Sequence, residues 1–113
     1  MSRELDRAIA EALGNDVTLM EEYDYIEWLN GKGICRDLPD YSTDDNAMLE
    51  LITQLKEKLL FSQRRKFVQY LQEYASQELD FTIHAAELIW FITPDIVSKA
   101  AYKALTGNDW EGK

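Results

Sequence analysis

The sequence predicts an α+β fold that is predominantly helical, with about four to five helices and a short N-terminal antiparallel hairpin; an all-α fold is the alternative. Three observations predict it. Apolar residues recur at helical spacing over most of the chain, glycines and prolines punctuate those runs, and one Asn-Gly pair lies among aromatic and β-branched residues.

The first helix is marked by Leu5, Ala8, Ile9, Ala12 and Leu13, which follow the i, i+3, i+4, i+7, i+8 pattern of one face. Ser2 is placed to cap its start, and Gly14 to end it in the left-handed conformation. Residues 17–36 can be read in two ways. Tyr23, Tyr25, Ile26, Trp28 and Leu29 before Asn30-Gly31, with Ile34 and Cys35 after it, predict a hairpin. Tyr25, Trp28 and Leu29 also share a helical face, so a helical turn over 21–29 stays open.

Pro39 biases Leu38 away from helix, so residues 38–41 form a turn or an extended approach to the second helix. Ser42, with Asp45 three residues on, predicts the cap of that helix, and Asp44 suits its positive dipole end. Met48, Leu51, Ile52, Leu55 and Leu59 form its apolar stripe. Ser62 and Lys66 interrupt that spacing, and a new stripe of Phe67, Val68, Leu71, Tyr74 and Ala75 begins, so the chain breaks or bends near Phe61 and Ser62. Residues 79–92 are apolar almost all round, which predicts a segment at the centre of the core, helix favoured over strand. Thr93-Pro94-Asp95 restarts a helix that buries Ile96, Val97, Ala100, Ala101, Ala104 and Leu105 and stops before Gly107.

At 113 residues and 46% apolar composition, one domain spanning residues 1–113 with a single core is expected. No apolar run approaches the ~20 residues of a membrane span and no secretory signal is evident, so the expected setting is cytoplasmic, without membrane contact. Cys35 is the only cysteine, which excludes an internal disulfide. The formal charge is −9, and residues 1–60 hold 14 acids against 6 bases (net −8), while 61–113 hold 7 against 6 (net −1). Such a chain repels a phosphate backbone, so direct nucleic-acid binding is not expected.

Candidate chemistry is sparse. Asp37, Asp40, Asp44 and Asp45 form the best metal-like cluster, because hard cations take converging carboxylate oxygens, but they lack the alternating pattern of a calcium loop. Asp44 and Asp45 are equally explained as first-turn helix residues. Glu21, Glu22, Asp24 and Glu27 resemble the helical ligands of magnesium-dependent phosphohydrolases, without a matching acidic pair on a partner helix. His84 is the one histidine and reads as a packed or interfacial residue, and Cys35 as a small buried apolar group. Gly31 and Gly33 lack the third glycine and following helix of a dinucleotide loop. No catalytic residue and no cofactor is expected. The binding candidates are the basic run Arg64-Arg65-Lys66, together with Trp28 and Trp110, the latter either folding back or marking a contact surface.

Two stretches, residues 37–48 (Asp37-Leu38-Pro39-Asp40-Tyr41-Ser42-Thr43-Asp44-Asp45-Asn46-Ala47-Met48) and residues 99–110 (Lys99-Ala100-Ala101-Tyr102-Lys103-Ala104-Leu105 to Gly107 and Trp110), resemble the phage ABA sandwich domain family. The resemblance implies strands between helical layers in a small phage or bacterial protein, and brings no catalytic residues. The functional expectation is a non-enzymatic accessory factor of phage or mobile-element type that binds another protein, with self-association left open. The first alternative is an acidic inhibitor that imitates nucleic acid toward a DNA-binding or defence protein; the second is a small metal-dependent hydrolase.

Overall fold

The computed structural model describes residues 3–19, 25–29 and 34–111. Helix α1 (Arg3–Ala12) leads into an antiparallel sheet of β1 (Asp16–Leu19), β2 (Tyr25–Leu29) and β3 (Ile34–Asp37), and the rest is helical: α2 (Asp45–Lys58), α3 (Phe61–Leu79), a 3₁₀ turn (Ala85–Glu87), α4 (Leu88–Phe91) and α5 (Pro94–Thr106). The helix-rich α+β expectation therefore holds, and the hairpin gains a third strand at its β1 edge. Every described strand lies before Leu38, so the stretch that carries the family resemblance contributes only Asp37 to the sheet.

Local signals account for most boundaries. After α1 the amide of Gly14 donates to Glu11 O and that of Asn15 to Ala10 O, the paired bonds of a Schellman end, with Gly14 at φ 96°. Ser2, the expected cap of α1, lies outside the described residues, as do Asn30 to Gly33. The strands flanking that Asn-Gly pair are antiparallel, with Leu29 opposite Ile34 and Trp28 opposite Cys35. The helical alternative for residues 25–29 is thereby replaced by strand.

The start of α2 corrects the sequence reading. Asp44, not Ser42, is the cap, its carboxylate accepting from the Ala47 amide at 2.8 Å. Ser42 is buried, and its own amide donates to Asp6 Oδ1 at 2.9 Å, tying this turn to α1. At α5, Thr93 Oγ1 accepts from the Ile96 amide, Pro94 follows in the first turn, and Gly107 closes the helix at φ 81°.

α5 occupies the centre. Its Ile96, Val97, Ala100, Ala101 and Ala104 are buried, and it packs against α1, α2 and α3. Three alanines on this helix let α3 approach closely, bringing Leu71 and Ala75 into the same core. Residues 79–92, expected at the centre, instead form a surface arm: Ile83 and Leu88 are buried while Phe81, Ile89 and Trp90 are exposed. Two short turns present only one side to a core, and α5 already fills the position those residues would take.

Candidate functional site

Three places concentrate unusual side chains. The first is the inner face of the sheet. Pairing sets Val17, Glu27 and Arg36 side by side across the three strands, because residues directly opposite share a face. This puts the Glu27 carboxylate, 0% exposed, in the interior. Arg36 Nε donates to Glu27 Oε1 at 2.9 Å, Asn15 Nδ2 donates to Glu27 Oε2 at 2.9 Å, and Arg36 Nη1 donates to Glu50 Oε1 at 2.6 Å. Both carboxylate oxygens of Glu27 are thus satisfied, which a buried charge requires. Burial disfavours the Arg36 charge, but its hydrogen bonds to Glu50 and Glu27 outweigh that and hold the guanidinium protonated, above its ordinary range. Beside it, burial and then the negative charge of Glu27 push the Tyr41 phenol up. The network joins the sheet to α2.

A cleft of about 490 Å³ opens next to this network, lined by Arg36, Asp37, Pro39, Asp40, Asp44 and Glu50 among others. Three of the four candidate aspartates therefore meet at one rim, and Asp45 stands outside it. Two of these carboxylates are already engaged: Asp40 Oδ1 pairs with Arg3 Nη1 at 2.6 Å and Asp44 caps α2. Among the described residues no three His, Cys, Asp or Glu side chains are placed together to hold a metal ion. Of the second acidic group, Glu21, Glu22 and Asp24 lie outside the described residues, and Glu27 is the buried partner of Arg36.

The second place is the corner between α2 and α3, where Arg64, Arg65 and Lys66 lie. Leu60 and Phe61 form its tip and are 71% and 75% exposed. Side chains lock the backbone behind them. The Leu60 amide donates to Gln63 Oε1 at 2.8 Å, Arg64 Nε donates to Leu59 O at 3.1 Å and its Nη2 to Lys56 O, and Lys58 Nζ donates to Leu13 O at 2.7 Å. Arg64 is therefore a cap for the carbonyl end of α2 rather than a free cation. Lys56, Arg65 and Lys66 make no ion pair with any described residue. Residues 56–66 hold five basic residues against one acid, Glu57, in a chain of net charge −9. Sequence reasoning found the cations but missed the apolar tip, since Leu60 and Phe61 are ordinary core residue types.

The third place is the outer face of the surface arm, where Ile89 and Trp90 are 76% and 80% exposed. His84 lies on the same arm and is exposed, its amide donating to Glu87 Oε1 at 2.9 Å.

The remaining candidates divide. Trp28, 45% exposed, lies on the outer face of the sheet opposite Cys35. Cys35 is exposed, which corrects its reading as a buried group: strand alternation turns it outward, because Arg36 takes the inner position. Trp110 folds back onto the ring of Tyr102, edge to face at 5.2 Å. A clasp holds it there. Asp109 accepts from the Tyr74 hydroxyl at 2.7 Å and pairs with Lys103 at 3.0 Å, and these two contacts keep its carboxyl below the usual range.

No family model matches the chain, and comparisons with curated proteins and with solved structures likewise return no match. Among the described residues no helix is long and apolar enough to cross a membrane.

Proposed function

We propose that this protein is a non-enzymatic accessory factor that acts by binding another protein, and that the α2–α3 corner is its contact. The observation that carries the reading is Leu60 and Phe61 held outward in a locked turn among unpaired cations. Large apolar side chains facing water cost solubility unless a partner covers them, and a rigid turn loses little entropy on binding. Lys56, Arg65 and Lys66 give the partner its character: an acidic surface with an apolar recess that accepts the Phe61 ring. The phage or mobile-element setting rests only on the resemblance of residues 37–48 and 99–110. The acidic-mimic alternative draws less support, because Asp40 and Glu50 already pair with Arg3 and Arg36.

The test is an affinity pull-down of the tagged full chain from its native cells at low and high salt, alongside Phe61→Ser and a double Arg65→Glu, Lys66→Glu variant. A specific protein is expected with the wild type at both salts, less at high salt. The serine variant should lose it at both, and the charge reversal chiefly at low salt. If both variants capture the same proteins as the wild type, the corner is not the contact.

A further inference from the structure

We infer that the outer face of the surface arm is a self-association interface, on which a second copy of this chain seats Ile89 and Trp90 across a two-fold axis. The inference is separate from the corner at Leu60 and Phe61 and does not depend on it.

The geometry of the arm is built from both sides. Leu88 turns into the core and the Ile92 amide donates back to Leu88 O at 2.9 Å, while Gln72 Nε2 on α3 donates to Ile83 O at 2.6 Å. Phe91 meets Phe81 edge to face at 6.2 Å. With Leu88 and Phe91 fixed three residues apart on the inner side of a one-turn helix, Ile89 and Trp90 have only the outer side to occupy. They stand in water in a defined geometry, which lowers the ordering cost of contact.

Size and charge choose the occupant. Scaled from typical side-chain areas, Ile89 and Trp90, 76% and 80% exposed, present on the order of 300 Å² of apolar surface. A standard interface covers about 800 Å² per partner, of which roughly 60% is apolar, or about 480 Å². This patch supplies most of that share. From Phe81 to Pro94 the chain carries one acid, Glu87, one histidine, His84, and no Lys or Arg. The Glu87 carboxylate is engaged by the His84 amide at 2.9 Å. A two-fold axis sets each surface against itself, so a charged patch opposes itself and an uncharged apolar one fits. The corner, with five basic residues, and the cleft, lined by Asp37, Asp40 and Asp44, both fail this requirement.

Sedimentation equilibrium of the full chain from about 1 to about 300 µM tests this, a range that brackets modest interfaces. The mass is expected to rise from 13.1 kDa toward twice that value. Raising salt from about 0.1 to about 0.5 M should tighten the association, because it screens the repulsion of two acidic copies. Trp90→Glu and, separately, Ile89→Glu should weaken it about 30-fold or more, the scale of one hot spot, with unchanged thermal melting. Phe61→Ser should associate like the wild type. A single-chain mass throughout for the wild type, including the case in which only a different protein covers Trp90, overturns the inference. So does a Trp90→Glu chain that folds and associates like the wild type, or an association that salt dissolves.

Discussion

Two regions of the molecule place their side chains in opposite ways. In the N-terminal half Asp6 and Glu27 are sealed from water, whereas in the C-terminal half Ile89 and Trp90 stand in it. The buried acids are fully partnered, Asp6 with Arg3 and the Ser42 amide, Glu27 with Arg36 and Asn15. Ile89 and Trp90 remain 76% and 80% exposed. A charge that is buried and paired binds the fold to itself; an apolar group that is exposed and rigid addresses something else. On the proposals above, the buried and paired acids serve structure and the exposed apolar groups serve contact.

The hardest way to break this contrast is to unpair the buried charge. Glu27→Ala removes one of the two carboxylates paired with Arg36 and the bond from Asn15 to Glu27, and should cost about 3–5 kcal/mol in urea unfolding. Replacing both Glu27 and Arg36 by apolar residues should cost clearly less than the single change. If the single change proves as mild as a surface substitution, the network does not hold sheet to α2.

Next comes the helical half, whose stability rests on close approach. Ala101 is fully buried on α5, and Ala101→Leu should cost about 1–3 kcal/mol by overpacking, read from the same unfolding curves. A neutral result would mean that the α5 seam has room.

The two tryptophans of the C-terminal half sharpen the comparison. Trp110→Ala removes a ring packed on Tyr102 and should lower stability by about 1–2 kcal/mol. At protein concentrations too low for self-association, Trp90→Ala should stay within about 0.5 kcal/mol of the wild type. Equal losses at the two positions would erase the distinction between a structural and a contact tryptophan.

The smallest effect is a slope. Burial raises the Asp6 carboxyl above its ordinary 3.8, against the hydrogen bonds of Ser42 and Arg3 that lower it. The folded state then holds the Asp6 proton more tightly than the unfolded chain. Its contribution to stability is therefore greatest below pH 3.8 and declines as pH rises through the folded value. The stability difference between wild type and Asp6→Asn should fall with rising pH across that window, and a difference that rises would reverse the assignment.

Much of the fold was legible because its signals are local. Gly14, Thr93-Pro94 and Gly107 mark helix ends through bonds closed within one turn, and the break expected near Phe61 and Ser62, which falls just before Phe61, followed from a failure of apolar spacing over a few residues. Strand β1 was not legible, since Asp16 to Leu19 carries four residues and no turn signal of its own. Ser42 and Asp44 both qualify as caps by residue type, and the choice fell to the distant Asp6, which takes the Ser42 amide. Of the two proposed contacts, only the cations at 64–66 could be seen beforehand.

By itself the sequence determined the helix-rich class, the positions of the chain reversals and the residues able to enter a core, because these depend on backbone preferences and spacing within a few residues. Only the tertiary structure decided that Glu27 lies inside and Trp90 outside. Burial is a property of what packs against a residue: the cross-strand position of Arg36 drew a carboxylate inward, and α5, filling the centre, left the most apolar segment of the chain facing water.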